Sequence, residues 1–168
     1  DDVVAAAPNY WRQASLIPND ELYPVQWHYP MLNLPQAWDL STGGGTIVAV
    51  LDTGVVLGHP DLQGQLVGGY DFISNPLNAN DGDGIDLDPD DPGDNANPGG
   101  GGSFHGTHVA GTVAAATNNN QGVAGVAFNG RIMPLRVLGR FGGSDFDIEQ
   151  ALRFDAGLPN DSNTLPPQ

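Results

Sequence analysis

The sequence predicts an α/β protein, a parallel sheet sandwiched by helices, and three observations predict it. Residues 46–51, TIVAVL, are apolar, mostly β-branched and show no alternation, the pattern of a strand covered on both faces. Strand-like and helix-like stretches then alternate along the chain. The first strand also ends on a carboxylate, Asp52, at the end where open α/β sheets place their reactive crevice.

The elements follow in order. Residues 18–38 are rich in Pro and aromatics and read as an irregular arm, with a short helical turn near 35–39. After the first strand, QLVGGYDFI at 65–73 suggests a second, shorter one. Residues 78–102 are Asp, Asn, Gly and Pro with almost nothing apolar, which cannot build a core and reads as loop. A helix begins at about Phe104, carries Val109, Ala110, Val113 and Ala114 at helical spacing and stops at the Asn run 118–120. RIMPLRVL at 131–138 is the next strand, against which Pro134 weighs. Ser144 with Asp147 opens a last helix whose apolar face is Ile148, Ala151, Leu152 and Ala156.

Composition narrows the function. The 168 residues suffice for one ordinary domain, and 24 Gly with 14 Pro imply long loops around its core. Five basic against twenty acidic residues, a net charge of −15, argue against nucleic acid or an anionic membrane as partner and suit cation binding. No Cys is present, so disulfides are excluded. No apolar run is long enough for a transmembrane helix, and DDVVAAAPNY lacks the basic start of a signal peptide, so an exported protein would have lost its address.

Asp52-Thr53-Gly54 admits two chemistries. One is half of an aspartic-peptidase dyad, which needs a second Asp-Thr-Gly or Asp-Ser-Gly that the sequence does not contain. In the other, Asp52 orients a His, and HGTHVAGT at 105–112 supplies one. AVLDTGV and HGTHVAGT, in that order, resemble the Asp and His motifs of the subtilisin-like serine proteases. HPDL at 59–62, GVAGVA at 122–127 and MPLRVLG at 133–139 extend the resemblance over most of residues 18–158.

The resemblance implies a serine endopeptidase acting on polypeptides, with Asp52 the orienting carboxylate and His105 the general base and acid. It implies a fold of helices around a central sheet, of which this chain is the N-terminal part. Gly106 and Gly111 would let the His helix approach the strand bearing Asp52. The nucleophile motif should lie a hundred or more residues beyond the His. None of Ser15, Ser41, Ser74, Ser103, Ser144 and Ser162 stands in such a context. The chain alone is thus expected to be inactive, with Ser on a C-terminal part or a second chain. A catalytically inert, calcium-stabilised binding module of the same fold is the alternative. His28, His59 and His108 read as structural, His108 by core packing.

PND at 18–20, QAWDL at 36–40 and TNNNQGVAG at 117–125 resemble the thermitase-like branch, which implies a Ca²⁺ tying the arm to the loop after the His helix. Carried over, its ligands are Asp20, Asp61 and Asn119 with the carbonyls of Ala116, Gln121 and Val123, an oxygen set suited to a hard cation; a hydrogen-bonded turn with solvated Asp is the alternative. Asp81, Asp83, Asp86 and Asp88 suggest a second Ca²⁺, against a solvated loop. Gly142, Gly143 and Ser144 occupy the family's substrate-binding edge, where main-chain pairing reads no side chain. Residues 1–15 resemble the tail of an inhibitory prodomain, leaving 16–168 as half of a catalytic domain. Such proteases are zymogens and are secreted.

Overall fold

A computed structural model describes Pro8, residues 16–94 and residues 101–167, so the expectation for the 1–15 tail falls outside the described residues, Pro8 aside. Its elements are the short helices α1 (His28–Met31) and α2 (Leu34–Trp38), strand β1 (Ile47–Asp52), strand β2 (Tyr70–Asp71) and the short helix α3 (Pro76–Ala79). Helix α4 (His105–Ala114), strand β3 (Arg131–Arg136) and helix α5 (Asp145–Asp155) complete it. The strands form one parallel sheet in the order β1, β3, β2, with Asp52 opposite Arg136.

Side-chain alternation along the strands divides the core in two. Met133, Leu135 and Val137 pack with Tyr70, Phe72 and, from α5, Ala151 and Phe154. Ile132 and Val50 pack with Val55, Leu62 and, from α4, Ala110 and Ala114. Ile132 and Leu135 are fully buried, each a gain of about 1.5–3 kcal/mol over exposure. The arm docks separately: Tyr29, Leu34 and Trp38 enclose Ala124, whose carbonyl accepts from Tyr29 Oη at 2.6 Å and Gln26 Nε2 at 3.0 Å.

Three expectations are corrected. Among the described residues β1 is an edge strand, with Ile47 37% exposed and Val48, Ala49 and Leu51 half-buried, although its apolar run reads as covered on both faces. The second strand shrinks to Tyr70–Asp71. Val67 N–H donates to Ile132 O and Phe72 N–H to Arg136 O, so five residue steps oppose four and the Gly68-Gly69 pair bulges. That bulge accounts for Pro134 inside the central strand. Ile132 N–H points at this side, to Gln65 O, so the N–H that Pro134 lacks would point into the gap. Finally, α4 ends at Ala114, before the Asn run, where Ala116 N–H donates to Asp61 O at 2.8 Å and draws the chain away.

Candidate active site

The structure brings Asp52 and His105 together. Asp52 closes β1, and its carbonyl accepts from the N–H groups of Val137 and Leu138, which holds that end of the strand against the chain leaving β3. His105 is the first residue of α4. It follows Phe104, whose φ of 47° lies in the left-handed region, a strain of about 1–3 kcal/mol of the kind found at functional sites. Nδ1 of His105 stands 2.9 Å from each oxygen of Asp52. The carboxylate can only accept, so Nδ1 carries the proton, and in the neutral ring Nε2 is then the nitrogen with the lone pair. The Asp52 side chain is 10% exposed and that of His105 62%, a buried carboxylate beneath an open imidazole.

Three consecutive residues bolt the first turn of α4 to the segment after β1. His105 meets Asp52, Gly106 N–H donates to Thr53 Oγ1 at 3.0 Å, and Thr107 Oγ1 accepts from Val56 N–H at 2.9 Å. Gly106 is required by contact, since a Cβ there would stand 2.1 Å from Gly54 O. Gly111 is not: a Cβ there would meet nothing within 4 Å, which corrects the expectation that both glycines serve the close approach.

Sequence reading missed Arg136. It is buried, donates from Nε to Thr53 O at 3.2 Å, and pairs with Asp71, Asp81 and the carbonyl of Ala79. Burial pushes the Asp71 carboxyl up to about 7, against the pull of the Arg136 charge and the Ile73 N–H bond. The only advance signal was a second Arg within β3, enclosed by apolar neighbours where Arg131 stands at the strand's exposed start. Asp81 of the acidic loop is therefore an anchor as well as a candidate ligand.

At the arm, Asp20 and Asp61 are 3% and 4% exposed. Asp20 accepts from the N–H groups of Asn118 and Asn119, and Asp61 from Asn119 Nδ2 and Val123 N–H. No basic side chain pairs with either among the described residues, and no described hydrogen bond ends on the carbonyl oxygens of Ala116, Gln121 or Val123. Two buried like charges beside three unpaired carbonyls suit a hard dication. Asn119 Oδ1 accepts from Gln121 N–H, so a ligating Asn119 would turn its amide over.

Asp81, Asp83, Asp86 and Asp88 line one cavity of about 240 Å³ with Asp90 and Pro92. Burial raises the Asp86 pKa, and the charges of Asp83 and Asp81 add to it. Among the described residues no three His, Asp or Glu side chains converge as a metal site of their own. At the expected substrate edge, Gly142 exchanges N–H and C=O bonds with Gly139 and accepts from Asn78 Nδ2, while Ser144 Oγ caps α5 at Asp147 N–H. Gly143 takes no part in those bonds. His28, His59 and His108 line one cavity of about 640 Å³ beside Leu22 and Val56; His108 is exposed, a correction to core packing.

The sequence profile described as Subtilase family matches residues 43–163. An extracellular protease of Xanthomonas campestris is 48% identical over 156 residues, covering 86% of this chain and 27% of its own length. Thermitase of Thermoactinomyces vulgaris is 39% identical over 126 residues, 74% of this chain and 38% of its own. A solved protease of Pseudoalteromonas arctica superposes with a TM-score of 0.78 at 50% identity, over 88% of this chain and 48% of that one. The chain thus spans well under half the length of these curated relatives.

Proposed function

The chain belongs to the subtilase family, and from that premise we propose that it carries the Asp–His half of a serine endopeptidase. Asp52 holds the imidazole, and His105 Nε2 takes the proton of a Ser hydroxyl as it attacks the scissile carbonyl and returns it to the leaving amine. The nucleophile comes from sequence beyond these 168 residues, on a C-terminal part or a second chain. The observation that carries this is the pair of 2.9 Å approaches of His105 Nδ1 to Asp52, which leave Nε2 outward on a side chain 62% exposed. The family overturns the aspartic-dyad alternative, and Asp52 accordingly faces an imidazole.

The substrate is polypeptide, laid along the edge at Gly142, Gly143 and Ser144, where Gly143 supplies the main-chain pairing because Gly142 is committed to its turn. Asp20, Asp61 and Asn119 with the carbonyls of Ala116, Gln121 and Val123 hold a Ca²⁺ that staples the arm to the loop after α4. Asp81, Asp83, Asp86 and Asp88 take a second ion. The protein is secreted, as the relatives named extracellular suggest; no helix among the described residues is long and apolar enough to cross a membrane.

Fluorophosphonate labelling of the full-length protein tests the enzyme reading. Stoichiometric modification of one Ser with casein hydrolysis is expected, and His105→Ala should remove both without loss of fold. A protein that is folded, unlabelled and inert toward casein would support the calcium-stabilised binding module instead.

A further inference from the structure

We propose that Asp91 and Thr53 form a positioning relay that holds the first turn of α4, and with it His105, against Asp52. The proposal rests on the Asp52–His105 reading above. Thr53 Oγ1 donates its single proton to Asp91 Oδ2 at 2.6 Å, which aims an oxygen lone pair at Gly106 N–H, 3.0 Å away. A charged acceptor polarises the hydroxyl and strengthens the bond that it receives. Asp91 is itself fixed: it is 5% exposed, its Oδ1 accepts from Gly93 N–H at 2.9 Å, and its own N–H donates to Val55 O at 3.1 Å.

The helix needs this help. Its first N–H groups have no partner within the helix. Phe104, at the capping position, makes no side-chain cap and is left-handed. Thr53 supplies that cap from across the site. Because Asp52 and Thr53 are consecutive, one dipeptide grips the imidazole through the first side chain and the backbone beside it through the second. The other charged group on this unit is Arg136, whose Nε donates to Thr53 O. Asp91 therefore acts on the imidazole through two intermediaries, a positioning role that makes part of the acidic loop a support for catalysis rather than a solvated tether.

The test uses the full-length protein with Thr53→Val, Thr53→Ser and Asp91→Ala. Thr53→Val keeps the shape and removes the hydroxyl; kcat should fall about tenfold, the equivalent of about 1.4 kcal/mol, with KM nearly unchanged. The acid limb of the pH profile should move to lower pH, since a loosened imidazole is held less well by Asp52. Asp91→Ala should do the same, and Thr53→Ser should restore both. A Thr53→Val enzyme with the parent's kcat and pH profile would overturn the relay, as would a Thr53→Ser enzyme equally impaired. If Thr53→Val fails to fold, Asp91→Ala decides by the same two readouts. If the parent hydrolyses nothing, the protease reading fails on its own. The relay is then read by NMR titration of His105, whose pKa must fall in Thr53→Val; an unmoved titration sinks it.

Discussion

Asp52 is bound from two sides, by Thr53 N–H at 2.7 Å on Oδ1 and by the imidazole on both oxygens. That arrangement separates its charge from its shape. Asp52→Asn keeps the size and an acceptor for Thr53, but its amide can force the wrong imidazole tautomer. We expect kcat for casein or a chromogenic peptide to fall by about 10⁴ with an unchanged far-ultraviolet spectrum. At this scale the site was legible. AVLDTGV and HGTHVAGT are contiguous and name Asp52 and His105 directly. Asp91 was not, because its partner Thr53 lies 38 residues away and nothing in a run of seven Asp marks the one that turns inward.

The two glycines of α4 make opposite predictions at the scale of the element. Gly106→Ala pushes a methyl into Gly54 O, so the helix must lift from β1; unfolding in urea should show a loss of about 1–3 kcal/mol, and activity should fall as His105 moves with its turn. Gly111→Ala meets open space and relieves a mid-helix glycine, so the same measurement should show a gain of about 0.5–1 kcal/mol. The sequence offered both residues in one motif with no mark between them. What separates them is the neighbour each faces, a backbone carbonyl in one case and nothing in the other. β1 shows the same limit from the other direction: apolar composition announces a strand, but whether a partner lies beyond each edge is set by the rest of the sheet.

Across the whole molecule, two ties connect distant segments. Arg136 joins β3 to β2 through Asp71 and to the acidic loop through Asp81. Asp71 is held above its unfolded value of 3.8, up to about 7. A carboxyl raised on folding contributes stability that is present below 3.8 and declines as pH climbs to about 7. Arg136→Met removes the pull on that pKa and raises it further, so the variant keeps losing stability above pH 7 where the parent levels off. Urea unfolding should show a deficit of about 3–5 kcal/mol that widens from pH 6 to pH 9. The second tie is the arm. If Asp20, Asp61 and Asn119 hold Ca²⁺, saturation to about 100 times Kd should stabilise by about 2.7 kcal/mol, and chelation should lower Tm by the corresponding amount. Asp61→Asn should erase that difference, and calorimetric titration should count one ion or two. The chain by itself determined its class, its family and the two residues of its candidate site that the structure brings together, because strand composition and short motifs are local and survive without coordinates. Only the tertiary structure decided which glycine must be a glycine, which of the clustered Asp turn inward, and how a Pro fits a central strand. Those depend on partners tens of residues away, and pairing across such distances leaves no local pattern to read.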